Sequence, residues 1–256
     1  MKNPAHGIDA EETPVPDNPD LGPTAAIITI GDEIVEGRVL NKNATWLADE
    51  LMARGVWPRV VVAVPDVSPL IVRVLRLAAD TVDLLFVCGG LGFTPDDITR
   101  KAVATAFFRD VEVDTALVGR FRRDNAWADE RIAVAAATFP IDAVPVKGIT
   151  GGVPGFQLRN AYVLPGRPAE MRAVFHALTL PVDGKPIHRT TITLDTTEDQ
   201  IAETLKQFDS EHPLVRLGSY PDLDSHPPQV TLVLVSRSAS GLDEAAKWLT
   251  NQLVRS

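Results

Sequence analysis

Apolar positions along the chain fall into alternating unbroken runs and helical stripes. Ala25-Ala26-Ile27-Ile28-Thr29-Ile30 predicts a strand ended by Gly31, and Val60-Val61-Val62-Ala63-Val64 a second buried strand broken by Pro65. Leu84-Leu85-Phe86-Val87-Cys88 predicts a third, stopping at Gly89-Gly90. Between the first two, Ala44, Leu47, Ala48, Leu51 and Met52 recur at helical spacing, and Gly55 ends that stripe. Ser68-Pro69 supplies an N-cap and a first-turn proline for a helix carrying Ile71, Val74, Leu75 and Ala78. Strands without polar alternation, linked by helices, imply a parallel sheet covered on both faces. In such sheets ligands gather where the strands end.

Beyond residue 110 the pattern is less regular. Ala143–Val146 and Ala161–Leu164 read as short strands around a glycine-rich turn, Gly148–Gly155, and Pro165-Gly166-Arg167-Pro168 leads into a helix over Ala169–Leu178. Pro181–Pro186 reads as a linker. A strand at Arg189–Leu194, a helix with Ile201, Leu205 and Phe208, strands near Val215–Ser219 and Gln229–Val235, and a helix near Leu242–Val254 make a small α+β subdomain. The expected division is therefore a tail over 1–23, a main domain over 24–180 and the subdomain over 187–256. The tail holds five prolines and almost no large apolar residue, so it is expected to stay flexible.

Composition narrows the function classes. With a net charge of −9 and a pI near 5.0, the chain lacks a general electrostatic hold on nucleic acid or anionic lipid. No apolar run approaches the length of a membrane span and no signal-peptide core opens the chain, so a cytoplasmic location is expected. One cysteine, Cys88, excludes an internal disulfide and a multi-cysteine zinc site, and its place at a strand end reads as a buried hydrophobe. The five histidines show no metal-ligand spacing, and the dinucleotide, P-loop and nucleophile-elbow patterns are absent.

Chemistry concentrates in Gly89-Gly90-Leu91-Gly92-Phe93-Thr94-Pro95-Asp96-Asp97-Ile98-Thr99. A buried strand, a turn poor in side chains and a helix opening at Thr94 would aim backbone N–H groups at a phosphate. Asp96 and Asp97 put negative charge in the same place, where each like-charged pair at 4 Å costs roughly 4 kcal/mol at a dielectric near 20. A divalent cation between phosphate and carboxylate resolves that conflict. Thr94-x-x-Asp97 also fits a capping box, and Asp96 also fits a favourable first-turn acid. Two further junctions compete for the rim: Gly31-Asp32-Glu33 with Asn41-Lys42-Asn43, and Pro165–Pro168; Asp66 follows the second strand. Each also has a plainer reading as loop or turn.

Taken in order, GDEIVEGRVLNKNATWLADELMARG, Asp66, CGGLGFTPDDIT, GGVPGF and LPGRPAEM resemble the molybdopterin-binding (MoaB/Mog-like) domain, and most closely the N-terminal part of the competence/damage-inducible protein A (CinA) family. The resemblance runs from Ala25 through Leu178 and continues into the subdomain at Leu217–Pro221. It implies a three-layer α/β fold with a mostly parallel sheet. It places a pterin- or nucleotide-phosphate pocket at Gly89, Gly90, Gly92, Thr94 and Asp97, faced by Asp32, Glu33, Asn41 and Asn43 and closed by Pro165, Gly166 and Pro168. Gly31, Thr99 and Gly155, from the same segments, are counted with them. Two activities are implied: metal-dependent pyrophosphate cleavage of ADP-ribose- or FAD-like nucleotides, and molybdopterin binding in cofactor assembly. The first assigns Mg²⁺, Mn²⁺ or Co²⁺ to Asp97, Asp66 and Asp32, general-base work to Glu33, and charge stabilisation to Arg167 or Lys101. Self-association as a dimer or trimer is expected. The amidohydrolase domain that ends longer family members has no counterpart here, so deamidation is not carried over. Val153 stands where relatives have alanine.

Overall fold

The computed structural model describes residues 22–254, so the tail expected over 1–23 lies outside the described residues apart from its last two positions. The chain begins with β1 (Thr24–Ile30), α1 (Asp32–Val35), α2 (Lys42–Ala53), β2 (Trp57–Val64), α3 (Ser68–Thr81), β3 (Leu84–Cys88) and α4 (Thr99–Ala106). A small excursion follows: β4 (Val111–Val113), α5 (Thr115–Asp124), α6 (Glu130–Ala136) and β5 (Thr138–Pro140). The chain returns through β6 (Val144–Val146), β7 (Gly155–Leu158), β8 (Ala161–Leu164) and α7 (Pro168–Ala177). The last segment holds β9 (His188–Leu194), α8 (Glu198–Glu211), β10 (Arg216–Asp222), β11 (Gln229–Ser236) and α9 (Ala239–Val254).

Six strands form the main sheet in the order β2-β1-β3-β8-β7-β6. The first four run parallel, and β7 and β6 extend the sheet antiparallel. Alternate side chains divide the core into two layers. Ala26, Ile28, Leu85, Val87 and Val163 pack towards α3 and α4, while Ala25, Ile27, Phe86, Cys88 and Tyr162 pack towards α2 and α7. Every residue of β3 is buried, as expected for a strand flanked on both edges and covered on both faces. Phe86 stacks on Tyr162 with centroids 5.1 Å apart, filling the second layer.

Some expectations are corrected. β2 is the sheet edge rather than a fully buried strand: it pairs only with β1, and Val61 is 53% exposed. An apolar run reads the same for a central strand and for an edge that lacks one neighbour. At α3 the capping position is Val67, which makes no side-chain cap, and Ser68 with Pro69 forms the first turn. An unexpected strand, β7, opens at Gly155, the last residue of the glycine-rich turn. A Cβ there would lie 2.4 Å from the Val163 carbonyl oxygen, so glycine is needed for strand pairing.

In the last segment the strand order is β10-β11-β9, all antiparallel, with α8 and α9 on one face. It docks beside the end of α2 and the start of the edge strand β2, where Ile187 N–H donates to the Met52 carbonyl and Arg216 lies over the Trp57 ring at 4.9 Å. Among the described residues no helix is long and apolar enough to cross a membrane.

Candidate functional site

Because β1, β2, β3 and β8 are parallel, their C-terminal ends share one rim, and the loops leaving them enclose a cleft of about 720 Å³. That volume lies within the range of small-molecule sites. Of the expected residues, Gly31, Glu33, Asn41, Asn43, Asp66, Gly89, Gly90, Gly92, Asp97, Pro165, Gly166, Arg167 and Pro168 line it.

The β3–α4 loop is its floor. Gly89 adopts φ +107 and Gly90 φ +61, in the left-handed region that side chains avoid. A Cβ on Gly89 would lie 2.2 Å from the Ile30 carbonyl oxygen, and one on Gly90 2.2 Å from Thr99 Oγ1. The backbone is thus pressed onto β1 and the start of α4, and the N–H groups of Gly90 and Leu91 have no acceptor among the described residues. The helix itself begins at Thr99, not at Thr94 as expected. The cause is Asp97, whose carboxylate turns back into the loop. Its Oδ1 accepts from Gly92 N–H at 2.6 Å, and its Oδ2 accepts from Thr94 N–H at 2.8 Å and Thr94 Oγ1 at 2.6 Å. The reach-back half of a capping box is therefore made, but Asp97 N–H donates to the Thr94 carbonyl and closes a turn. Thr94 does not line the cleft; it braces Asp97. Thr99 is fully buried beneath the loop, its hydroxyl donating to the Gly89 carbonyl at 2.9 Å.

Arg100 lies under the same loop, only 6% exposed, with Nη1 donating to the Leu91 carbonyl at 2.8 Å. Its Nε and Nη2 have no partner among the described residues, and burial pushes the guanidinium down to about 10 while the Asp97 charge opposes that fall.

Asp32 and Asp66 lock the two neighbouring loops together. Asp32 N–H donates to Asp66 Oδ2 and Asp66 N–H donates to Asp32 Oδ1, both at 3.0 Å. Asp66 faces the cleft, whereas Asp32 does not line it. Burial raises the Asp66 carboxyl above its ordinary range, and the charges of Asp32, Glu33 and Asp96 raise it further, against the lowering effect of the Asp32 hydrogen bond. Among the described residues no group of three or more His, Cys, Asp or Glu converges to hold a metal, so Asp32, Asp66 and Asp97 do not form the preassembled ligand set expected of them. The donor chemistry still suits a hard cation in another form, because Mg²⁺ is commonly held by one or two carboxylates together with substrate phosphates.

On the opposite side, Asn43 Nδ2 donates to the Gly166 carbonyl at 2.7 Å, fixing the β8–α7 turn. Asn41 caps α2 by accepting from Ala44 N–H at 3.2 Å, while its Nδ2 donates to Thr29 Oγ1 at 2.8 Å. Arg167 pairs with Glu170, a carboxylate buried at the start of α7. Cys88 is buried, its thiol pushed up to about 12 by burial, and is no nucleophile at neutral pH. Lys101 is exposed on α4 and does not reach the cleft, and Gly155 packs inside the sheet. Both leave the binding set.

Asp96 and Val153, both singled out in the sequence, also line the cleft, as do Phe93 and Trp127, which sequence reasoning missed. Trp127 had one signal, a lone large aromatic inside the charged run Arg122–Arg131.

Comparison with known proteins bears on the family and the fold. Residues 26–185 match the family described as a probable molybdopterin binding domain, and residues 186–256 match the FAD synthase middle domain. A protein of Pyrobaculum calidifontis is 35% identical over 214 residues, covering 78% of this chain and 81% of that protein. A CinA-like protein of Frankia casuarinae is 32% identical over 214 residues, 76% of this chain but 49% of that protein, so the chain spans about half its length. The solved structure of the protein CinA from Thermoplasma acidophilum superposes with a TM-score of 0.57 at 30% identity, over 61% of this chain and 95% of that one. With its glycine loop at the carboxyl rim of a mostly parallel sheet, this chain belongs to the molybdopterin-binding (MoaB/Mog-like) domain family and has CinA-like relatives.

Proposed function

We propose that the cleft binds a nucleotide pyrophosphate of the ADP-ribose or FAD kind, and that the chain cleaves it with the help of a divalent cation. The observation that carries this reading is the pair of uncommitted N–H groups at Gly90 and Leu91, held at a strand end by two left-handed glycines. Such groups bind phosphate oxygens without a side chain. The match of residues 186–256 to the FAD synthase middle domain supports the nucleotide class.

Asp66, with Asp96 or Asp97 on the facing loop, would hold Mg²⁺, Mn²⁺ or Co²⁺ together with the ligand's own phosphate oxygens. A cation there would supply charge neutralisation on the phosphates and make a bound water more acidic. Glu33, folded over Gly31 at the cleft wall, would take a proton from the attacking water. Water adds to one phosphorus, the bridging P–O bond breaks, and two phosphomonoesters leave. Arg167 would steady the charge that builds on the departing phosphate, its link to Glu170 keeping it at the rim.

The experiment is a panel of ADP-ribose, FAD and NAD with each metal, read by AMP release. Metal-dependent release supports the proposal. Tight binding without release favours a second reading, a non-catalytic molybdopterin- or nucleotide-binding protein of cofactor assembly. One observation favours that alternative: both Asp97 oxygens are engaged by loop donors. Co-purification of a fluorescent pterin would support it.

A further inference from the structure

Resting on the reading that phosphate sits over Gly90, we propose that Trp127 and Phe93 form a stacking site for the heteroaromatic ring of the same ligand. Trp127 is 65% exposed, yet the backbone carrying it is fixed on both sides. Asn125, buried, donates from Nδ2 to the Phe121 carbonyl at 3.0 Å; Ala128 N–H donates to the Asn125 carbonyl at 2.9 Å; and Asp129 caps α6 by accepting from Ile132 N–H at 2.9 Å. An indole left in water on a braced turn is preorganised to receive a flat partner and loses little conformational freedom on doing so.

Its neighbour is Phe93, 6.4 Å away between ring centroids and inclined at 58°. Phe93 follows Gly92 directly, so the aromatic pair begins one residue from the phosphate loop. Behind it, Phe93 meets Phe121 edge-on at 6.0 Å, which ties the α5–α6 hairpin to the β3–α4 loop. Both Phe93 and Trp127 line the cleft. The cleft thus offers backbone donors and carboxylates together with aromatic faces. A nucleotide or a phosphorylated pterin matches that pairing, with a charged phosphate and a flat nitrogen heterocycle.

The test titrates the full chain and its Trp127→Ala and Trp127→Phe variants with inorganic pyrophosphate and with ADP-ribose in its α,β-methylene form, whose P–C–P bridge resists cleavage, in Mg²⁺, by calorimetry. Trp127→Ala is expected to weaken ADP-ribose about 10-fold, the scale of one lost base–aromatic stack, and to change pyrophosphate affinity by less than about 2-fold. Trp127→Phe is expected to recover most of the loss. Equal losses for both ligands, or none for ADP-ribose, would overturn the stacking site and leave the phosphate reading standing. Wild-type protein that binds neither overturns both.

Discussion

The two larger sheets among the described residues use similar apolar residues differently. In the main sheet β3 is buried from end to end, and four parallel strands deliver four loops to one rim. In the second unit β9 and β11 alternate between more and less buried positions, only one face is covered by helices, and each strand runs antiparallel to its neighbour. Antiparallel strands send consecutive loops to opposite ends, so no edge collects them. A cleft built from backbone donors needs the first arrangement. The second unit offers a packed body and a docking edge.

The largest test of this contrast lies in the two cores. Phe86 and Phe208 are both fully buried, so Phe86→Ala and Phe208→Ala should each cost about 3–5 kcal/mol in chemical denaturation. Phe86→Ala should also abolish ligand binding, whereas Phe208→Ala, assayed below its melting transition, should retain it. Loss of binding in both would erase the distinction. Next come the glycines. Gly89→Ala forces a Cβ against the Ile30 carbonyl at positive φ and should cost on the order of 3 kcal/mol, with loss of binding. Gly218→Ala in β10 meets only the movable Tyr220 ring, at 3.0 Å, and should change Tm and binding little. Asp97→Ala unties the loop without opening a core cavity. AMP release should fall about 100-fold, the scale of a misplaced site, while the circular dichroism spectrum stays unchanged.

The smallest expected effect is that of Asp66→Asn. The Asp66 carboxyl is raised above its ordinary value of 3.8, so the native state holds its proton to higher pH than the unfolded chain does. Stability from this group is therefore present below 3.8 and declines as pH rises through the raised native value. Asp66→Asn should remove that decline and lift Tm slightly at neutral pH, while weakening metal-dependent turnover. A lower Tm would mean that the hydrogen bonds with Asp32 outweigh the charge repulsion.

Much of this was readable from the residues because its physical cause is local. Unbroken apolar runs gave β1 and β3, a stripe from Ala44 to Met52 gave α2, and consecutive glycines after Cys88 marked a tight turn. Long-range effects were not readable. Val60–Val64 carries no sign that β2 has a single neighbour, and the three-residue strands β4 and β5 are too short for any periodicity. Asp97 matches a cap in sequence, but whether its oxygens turn to the helix or the loop depends on where Gly92 lies. Trp127 enters the cleft only because Phe121 and Phe93 fasten the α5–α6 hairpin there.

The most direct measurement is backbone amide NMR of the full chain titrated with pyrophosphate and Mg²⁺. If main-chain donors at the strand ends seize the phosphate, the Gly90 and Leu91 amide resonances shift strongly downfield while those of β9, β10 and β11 stay in place. Still resonances at Gly90 and Leu91 under saturating ligand, or movement confined to the second sheet, would contradict the account.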